Sequence, residues 1–534
     1  LMNHIELFAG CGGLSLGLEA AGFNLIMANE LSPMAAETFA RNILNIDLDQ
    51  QIKADKLFWL SSEYKKDELK KRLAENPMTA VGIGEKHYSD LKHTKISDSQ
   101  LDRSLLVGSI TDLNNILEND KTGLLKKIKN GFGRGEVDLI SGGPPCQSFS
   151  MAGLRDHKNQ RNALPWEFAK FVGKIQPKIA ILENVSGILR AFNVDGKKSY
   201  AWIEVAKAFA SFDYIPLCLH INAKYVGVAQ NRPRFILIAL RKDIFVSVKN
   251  SISDDLMLQA FEKSQAFAIS VKSSEGAKTE LIKCYEIEKD RRLFDAELLS
   301  PLLTCDINQL VSVKDAIDDL RAADLEESRY VKNIHKVFLN SYYYKNDKFK
   351  NHEFRANGPK VRARFRLNQV INSLDPREAI ELKKYIKHHK DSVLERSVVK
   401  EVRRFWLLNL DGKILRNGTY NQVKELIDSL RTHKHSQRAL IAQRPAPAVL
   451  GSPDDTSHYD ESEFSQRTLT VRELARIQSF PDWYEFKSKV TTGGHRRKFE
   501  VPQYTQVGNA VPPLLGRALV LVVANILQLT DQKS

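Results

Sequence analysis

The chain has 534 residues, of which 43% are hydrophobic, so it is long enough for two to four domains with sizeable cores. Its net charge of +14 is concentrated in residues 341–450, where 24 lysines and arginines against 11 acidic residues favour a polyanion-binding region. Five cysteines without a CxxC pair argue against a zinc site or a disulfide framework, and the lack of a basic signal start or a bilayer-length apolar run predicts a cytoplasmic protein.

The first predicted elements are a strand, a glycine-rich turn, a helix and a second strand. Residues 5–9 predict the first strand, residues 10–13 the turn, and residues 14–21 the helix, after which Gly22 suits a helix C-cap. The second strand ends near Glu30. This order of elements opens an α/β sheet of the dinucleotide-binding type.

Further along, a polar, lysine-rich insertion interrupts the pattern at residues 49–104, with a helix predicted at residues 62–75. Strands and helices then alternate again. Apolar runs predict strands at 137–140, 179–182 and 235–239, and helices at 164–172 and 201–209. Such short, β-branched strands suit a parallel sheet buried on both faces.

After residue 241 the alternation is lost, and residues 241–499 are predicted to form a second domain. A helix start with a capping box is predicted at Thr470–Glu473, and a last helix at about residues 513–529. The sheet domain would then consist of residues 1–240 and residues 500–534.

The glycine turn is a candidate ligand site. Glycines between a strand and a helix N-terminus let the backbone approach a ligand closely, and Phe8 can pack on a flat ring. A carboxylate at Glu30, at the end of the next strand, can accept hydrogen bonds from both hydroxyls of a ribose. Because the spacing is not GxGxxG, the pattern argues against NAD and leaves an adenosine-type cofactor or no ligand open.

A second candidate site is the loop of residues 138–150, DLISGGPPCQSFS, which follows a predicted buried strand. Two glycines and two prolines constrain this loop before Cys146, at the strand end where open α/β sheets bind ligands. Glu183 follows the next predicted strand, so the two residues would lie close together if the strands are neighbours. Residues 230–234, QNRPR, precede a further strand.

In this order the motifs resemble those of the bacterial cytosine-5 DNA methyltransferase family. Six segments carry the resemblance: the cofactor motif at residues 8–17, PCQ at 145–147, ENV at 183–185, QxRxR at 230–234, the motif that frames the recognition domain at 467–482, and QVGNAVP at 506–512. The resemblance implies an α/β fold with a Rossmann-like S-adenosylmethionine-dependent methyltransferase domain and a second, smaller DNA-recognition domain.

The implied chemistry is covalent. Cytosine C5 is a poor nucleophile, and addition of the Cys146 thiolate to C6 of a cytosine flipped out of the duplex makes C5 reactive. The family gives Glu183 the task of stabilising the charge that builds toward N3. Positive charge favours the thiolate, and Arg232 and Arg234 are candidates for it. The methyl donor is S-adenosyl-L-methionine, which becomes S-adenosyl-L-homocysteine.

The resemblance also implies a set of cofactor contacts. They are Phe8, Gly10, Gly12, Gly13, Leu14, Glu30, Ser109, Ile110, Pro144, Asn509 and Val511. One of them departs from the family, which has Gly-Asp-Ile where this chain has Gly108-Ser109-Ile110. Ser109 is an uncharged partner for the adenine amino group, and Asp112 is the alternative.

The basic region from residue 342 to residue 444 is the predicted DNA-binding surface. Residues 362–366, RARFR, alternate as in an edge strand. The predicted DNA or substrate contacts are Gln147, Ser148, Asn184, Gln230, Arg362, Arg364, Arg366, Arg403, Arg404 and Arg444. We expect most of the arginines to touch phosphate groups rather than bases.

The expected partner is double-stranded DNA, bound by a monomer without a metal or a membrane. A restriction-modification or other phage-defence role would pair the protein with a restriction endonuclease or defence system. The alternatives are an RNA cytosine-5 methyltransferase on the same scaffold and a DNA-binding protein without activity. The large basic region favours DNA, and the intact Cys146, Glu183 and Arg234 favour an enzyme.

Overall fold

The computed structural model describes thirteen stretches of the chain. They are residues 2–50, 55–79, 87–93, 96–145, 164–194, 197–274, 276–322, 324–339, 350–387, 393–434, 436–448, 451–463 and 465–531. Within these stretches the protein is a mixed α/β structure organised around one large sheet.

The strands of the described residues fall into this large sheet and several two-stranded ladders. They are β1 (Met2–Leu7), β2 (Phe23–Glu30), β3 (Leu57–Trp59), β4 (Ser104–Val107), β5 (Leu139–Gly142), β6 (Ile179–Val185), β7 (Ala191–Val194), β8 (Lys197–Tyr200), β9 (Tyr214–Asn222), β10 (Gln230–Asn231), β11 (Pro233–Arg241), β12 (Cys284–Glu286), β13 (Leu407–Leu408), β14 (Ile414–Leu415), β15 (Arg438–Ala439), β16 (Ala446–Pro447) and β17 (Thr456–Ser457).

The helices of the first half of the chain alternate with these strands. They are α1 (Gly13–Ala20), α2 (Pro33–Asn42), α3 (Leu69–Leu73), α4 (Asp90–His93), α5 (Asp98–Leu101), α6 (Ile110–Glu118), α7 (Leu124–Lys129), α8 (Leu164–Ile175), α9 (Ala201–Ser211), α10 (Lys242–Lys249) and α11 (Asp255–Val271).

In the second half of the chain the regular structure is mostly helical. Its helices are α12 (Arg291–Phe294), α13 (Val313–Ile317), α14 (Arg329–Val337), α15 (Pro359–Ser373), α16 (Pro376–Ile386), α17 (Arg396–Val402), α18 (Tyr420–Ser429), α19 (Val471–Ile477), α20 (Gln503–Asn509) and α21 (Pro513–Asp531).

Among the described residues, nine strands form the large sheet in the order β12-β9-β11-β6-β5-β1-β2-β4-β3. The chain starts in the middle with β1, adds β2, β4 and β3 on one side, and adds β5 and β6 on the other. The strand order therefore reverses between β1 and β5. A crevice at the carboxyl ends of the strands is expected at such a switch point, and it is where open α/β sheets bind their ligands.

The expectation of a parallel sheet is wrong for one strand. Strand β11 runs antiparallel to both β6 and β9, with Arg234 opposite Val185 and Leu240 opposite Ile179. Because β11 runs in the opposite direction, it begins at the edge where β6 ends. The basic residues at its start therefore reach the carboxyl end of the sheet.

The predicted helix at the C-terminus is α21, which packs on α1 at very close range. A Cβ atom on Gly17 would stand 2.4 Å from the carbonyl oxygen of Pro513, and one on Gly516 would stand 3.1 Å from the carbonyl oxygen of Leu14. Gly17 needs glycine for this approach, and a side chain at position 516 would require the two helices to move slightly apart. By length and composition the segment Pro513–Thr530 is apolar enough to cross a membrane, yet 61% of it is buried within the protein.

The hydrophobic residues form two separate cores. The larger core includes the sheet, runs on to Phe338 and is completed by residues from Leu440 to Leu527. The smaller core starts at Ala363 and ends at Leu430. Residues 242–338, expected in the second domain, instead pack on the sheet, where β12 pairs with β9.

The insertion at residues 49–104 is also part of the sheet. It supplies β3, which pairs with β4, and the predicted helix at 62–75 is reduced to Leu69–Leu73. A buried ion pair between Arg72 and Asp90, 2.9 Å long, holds the segment together, and Asp90 also accepts from the backbone N–H of Trp59 at 2.8 Å.

Candidate active site

Two loops and a strand end meet at the carboxyl edge of the sheet. Leu7 of β1, Gly142 of β5 and Leu182 of β6 lie side by side, and β6 continues to Val185 in its pairing with β11. The glycine turn follows Leu7, the cysteine loop follows Gly142, and Glu183 follows Leu182. The expected neighbourhood of β5 and β6 is therefore confirmed.

The cysteine loop is described as far as Pro145. Cys146, Gln147 and Ser148 lie outside the described residues. Asn184, expected to contact substrate, is buried and donates from its side chain to the carbonyl oxygen of Pro144 at 3.0 Å. Its amide thus fixes the start of the loop.

Glu183 lies between two neighbours that fix its carboxyl group. Its Oε1 is 2.6 Å from Nε of Arg234 in an ion pair whose side chains are both largely buried. Its Oε2 lies against Gly143, where a Cβ atom would stand only 2.8 Å from it. The carboxyl group therefore faces the backbone of the cysteine loop, and Gly143 is required for this contact.

Arg232 has a different environment from Arg234. Its Nη2 donates to the carbonyl oxygens of Gly508 at 2.9 Å and Ala510 at 3.0 Å, and its Nη1 donates to Gln230 at 3.2 Å. Burial lowers the pKa of the Arg232 guanidinium. Arg232 thus joins β11 to the C-terminal motif. Gln230, which was expected to contact DNA, is buried and accepts a hydrogen bond from Arg232.

The glycine turn divides into an open part and a packed part. No described atom lies within 4 Å of where a Cβ atom of Gly10 would stand. The N–H of Gly10 donates to Oε2 of Glu30 at 2.8 Å, and the N–H of Ser32 donates to Oε1 at 2.7 Å. Burial raises the pKa of Glu30. Phe8 packs against Phe168, with ring centroids 6.4 Å apart.

The packed part is covered by protein. A Cβ atom on Gly12 would meet the Tyr484 hydroxyl at 2.8 Å, and one on Gly13 would meet the carbonyl oxygen of Val511 at 2.3 Å. Leu14 is buried against α21. The α-carbons of these three residues therefore face protein. Asn509, by contrast, is exposed beside them.

Two residues that the sequence analysis did not single out also shape the edge. The Tyr484 hydroxyl donates to the carbonyl oxygen of Cys11, and Gly143 gives the space for Glu183. The paired glycines before the two prolines were a signal for Gly143. Nothing in the local pattern around Tyr484 indicates its contact with a turn more than 470 residues away.

The adenine position expected from Gly108-Ser109-Ile110 lies at the end of β4. Ser109 caps α6, and its hydroxyl accepts from the N–H of Thr111 at 3.1 Å. Ile110 and Asp112 are buried within α6. Ser109 also lines a narrow cavity next to Leu31.

The predicted DNA-contacting arginines separate into buried and available side chains. The edge strand expected at residues 362–366 is wrong, because these residues lie in α15. Arg364 donates to Leu430 O at 3.0 Å, and Arg403 donates to Gly418 O at 2.8 Å. Arg366 is buried, stacks over Trp406 and pairs with Glu461 at 2.8 Å. These three guanidiniums hold the smaller core together.

The remaining arginines reach the surface. Arg404 is largely exposed and forms an ion pair with its neighbour Glu401. Arg444 is exposed. Arg362 opens into a cleft of about 450 Å³ between the two cores. The charged and aromatic residues that also line this cleft are Arg321, Phe354, Arg355, Asp460 and Arg467.

One group of side chains has the composition of a metal site. Ligand atoms of Glu327, His335 and Asp482 lie within 4.8 Å of one another. The Asp482 carboxylate, however, is bound by both Nε and Nη2 of Arg476, at 2.8 and 2.7 Å. The cluster is therefore an ion-pair network that joins α14 to the segment after α19.

The sequence model of the family described as C-5 cytosine-specific DNA methylase matches residues 2–66 and 110–524 of this chain. Among known proteins, the chain is 25% identical over 518 residues to the type II methyltransferase M.DdeI of Desulfomicrobium norvegicum, covering 97% of this chain and 87% of that protein. It is 24% identical over 525 residues to M1.HphI of Haemophilus parahaemolyticus, covering 98% and 86%. It is 25% identical over 550 residues to M.Bpa9945I of Bacillus paralicheniformis, covering 98% of both.

Proposed function

Because the chain belongs to the C-5 cytosine-specific DNA methylase family, it is a DNA cytosine-5 methyltransferase, and we propose that Cys146 and Glu183 act together on the target base. The observation that carries this proposal is the arrangement of the Glu183 carboxyl group. It lies between the Arg234 guanidinium and Gly143, three residues before Cys146 in the sequence. A base entering the crevice at this edge would meet the carboxyl group and the cysteine loop together.

In the proposed reaction the thiolate of Cys146 adds to C6 of cytosine. A carbon–sulfur bond forms, the ring loses its aromatic character, and electron density moves toward N3. In this step Glu183 acts in its protonated form and donates its O–H to N3, which stabilises the charge, while Arg234 keeps the carboxyl group in place. After methylation a base removes the C5 proton, and elimination of the Cys146 thiolate restores the aromatic ring.

The described residues fit S-adenosylmethionine as the methyl donor. Glu30 accepts from the N–H groups of Gly10 and Ser32, and the N–H of Leu31 also donates to it, which leaves one acceptor site of the carboxylate for a ribose hydroxyl. Gly10 leaves open space beside it. When bound, this cofactor supplies an electrophilic methyl group. Phe8, Gly10 and Glu30 would hold it, together with Pro144 and the exposed Asn509.

Arg232 is a positioning residue in this scheme. Its guanidinium is occupied by the carbonyl oxygens of Gly508 and Ala510. It joins the start of β11, which carries Arg234, to the C-terminal segment whose Val511 packs on Gly13. Arg232 thereby fixes the position of the catalytic side chains relative to the cofactor-binding residues.

The proposed substrate is double-stranded DNA in the cleft between the two cores. A stacked cytosine cannot reach a side chain at the sheet edge, so the base must be flipped out at a cost of a few kcal/mol. Phosphate contacts from exposed basic side chains offset this cost. Arg362, Arg404 and Arg444 remain candidates for these contacts, because their guanidiniums are not enclosed in the smaller core.

The relatives named above are type II methyltransferases. We propose the same kind of role here, in which methylation of a specific site protects DNA from a partner restriction endonuclease.

The test of the proposed function is methyl transfer by the purified protein from tritiated S-adenosylmethionine. We expect label in duplex DNA and none in tRNA, and bisulfite sequencing of DNA from expressing cells should then show 5-methylcytosine within one short sequence. Label in tRNA alone would assign the protein to RNA. Binding of DNA without any label would show a protein that has lost the activity.

A further inference from the structure

A narrow cavity lies beyond the ends of β2, β3 and β4, next to Glu30. It is lined by Leu31, Pro33, Trp59, Ser61, Glu75, Pro77, Val107, Gly108 and Ser109. Four of these residues belong to the insertion at 49–104. Glu75 and Pro77 also fall in residues 67–109, the stretch that the family's sequence model does not match.

The place of this cavity in the fold identifies the part of the cofactor that it would receive. Glu30 ends β2 and is the group suited to the ribose hydroxyls. Leu31 follows Glu30 directly, and Gly108 donates its N–H to the carbonyl oxygen of Glu30 at 2.9 Å. A purine attached to a ribose at Glu30 would therefore lie between the ends of β2 and β4, in this cavity.

The cavity offers few groups for the polar edge of an adenine. Ser109 stands where the resembling family has an aspartate, but its hydroxyl is uncharged and already accepts from the N–H of Thr111, which leaves it one acceptor site. Asp112 is buried in α6 and does not line the cavity. Glu75 is the carboxyl group that does line it.

Glu75 is held in place by its own segment. Its Oε2 accepts from the Ser62 hydroxyl at 2.9 Å, and its Oε1 accepts from the N–H of Glu63 at 2.6 Å. Two of the four acceptor sites of a carboxylate remain for a ligand. Burial raises the pKa of Glu75, as expected for a carboxyl group removed from water beside a cavity.

The wall that carries Glu75 is fixed to the sheet. Trp59 of β3 lies under the guanidinium of Arg72, 5.2 Å from the ring centroid, and Arg72 pairs with the buried Asp90. Ser62 and Tyr88 exchange backbone hydrogen bonds at 3.0 and 2.7 Å. The insertion is thus built as one side of the cavity.

We propose that Glu75, supplied by the insertion, accepts a hydrogen bond from the 6-amino group of the cofactor's adenine. Glu75 then takes the place of the aspartate that this chain lacks at position 109. This inference rests on the proposed function, since it assumes that S-adenosylmethionine binds at Glu30. It gives the insertion a task in cofactor selection.

The test measures binding, without catalysis, of two ligands by calorimetry. S-adenosylhomocysteine carries the 6-amino donor, and S-inosylhomocysteine carries a 6-oxo acceptor at the same place. A hydrogen bond to a charged acceptor changes a dissociation constant by about tenfold or more. The wild-type protein should therefore bind S-adenosylhomocysteine at least about tenfold more tightly than S-inosylhomocysteine. In Glu75→Gln the side-chain amide can donate to the 6-oxo group, and the preference should fall by about tenfold.

The control is Glu68→Gln, because Glu68 lies in the same insertion but pairs with Lys71 at the surface, away from the cavity. It should keep the wild-type preference. If Glu75→Gln weakens both ligands by the same factor, or changes neither, Glu75 only supports the wall and the inference is overturned. If the wild-type protein binds neither ligand, the proposed use of S-adenosylmethionine itself is wrong.

Discussion

The guanidinium of Arg232 donates to the carbonyl oxygen of Gly508 at 2.9 Å, across 276 residues of sequence. A second bond to Ala510 fixes the same turn. These bonds tie the start of β11, with Arg234 and its partner Glu183, to the segment that packs on the glycine turn. One buried side chain therefore links the two halves of the site.

We expect Arg232→Lys to destabilise the protein, because lysine cannot reach both carbonyl groups and leaves buried acceptors unpaired. Each unpaired buried group costs roughly 1–3 kcal/mol. The free energy of unfolding from urea titration should fall by about 2–4 kcal/mol. Arg404→Lys is the control, since Arg404 is 74% exposed, and its stability should be unchanged. Equal stability of the two variants would contradict the linking role of Arg232.

Glu6 predicts a pH dependence of stability. It is buried in β1, and burial raises its pKa to about 8. Between about pH 4.5 and 8 the folded state then binds more protons than the unfolded state, so Glu6 makes stability fall as the pH rises through this window.

Replacing Glu6 with glutamine keeps the shape of the protonated form and removes the titration. The free energy of unfolding of Glu6→Gln should match that of the wild-type protein at pH 5. At pH 8 it should be larger by about 3–5 kcal/mol, because the pKa of Glu6 is raised by several units in the folded protein. Urea titrations at both values measure this. Glu204→Gln, at a partly exposed ion pair, serves as the control. If the free energy of unfolding changed equally with pH in the wild type and in Glu6→Gln, Glu6 would titrate normally.

Gly143→Ala should reduce activity without unfolding the protein. The new Cβ atom would stand 2.8 Å from Oε2 of Glu183 and displace the carboxyl group. A shift of this kind can lower kcat by about 10- to 100-fold. Gly187→Ala is the matched control, because its nearest neighbour, Cγ2 of Val185, would be at an ordinary 3.7 Å. Full activity in Gly143→Ala would mean that Glu183 has no fixed place in catalysis.

Cys146→Ser should abolish methyl transfer and leave DNA binding largely intact, since a hydroxyl is a far weaker nucleophile than a thiolate. Duplex DNA with 5-fluorocytosine at the target should form a covalent adduct with the wild-type protein only, because fluorine cannot leave as a cation. Denaturing electrophoresis and mass spectrometry of the trapped peptide detect it. An adduct at another cysteine would refute the assignment.

Arg362 and Arg366 should respond differently to replacement by alanine. Arg362 opens into the cleft, so Arg362→Ala should weaken DNA binding and reduce the salt dependence of the affinity by about one phosphate contact. Arg366 is buried over Trp406, so Arg366→Ala should lower stability instead. Fluorescence titrations at several salt concentrations and thermal unfolding separate the two effects. Unchanged salt dependence in Arg362→Ala would place the DNA elsewhere.

Local patterns predicted the part of the fold that local interactions determine. The strand, turn and helix at residues 2–20 and the strands before Gly143 and Glu183 follow from short apolar runs and glycines. Periodicity carries no information about strand direction, so the antiparallel β11 was not predicted. The boundary at residue 241 was placed too early, because α10 and α11 pack on the sheet without alternating with strands.

The error at residues 362–366 has a similar cause. Alternating basic and apolar residues fit a strand over five positions, but Ala363, Leu367, Val370 and Ile371 repeat with helical spacing over a longer window and are all buried. The same limit applies to function. Resemblance named Arg232 and Asn184, but only the fold reveals that their side chains bind backbone carbonyl groups of Gly508 and Pro144.

The contact of α1 with α21 has a consequence for how the protein is made. The glycines of α1 emerge from the ribosome well before α21, the helix that covers them. Domains usually fold from the N-terminus during synthesis, but here the face of α1 around Gly17 stays uncovered until translation has passed Gly516. A nascent chain therefore cannot complete the glycine turn and methylate DNA before α21 has been synthesised.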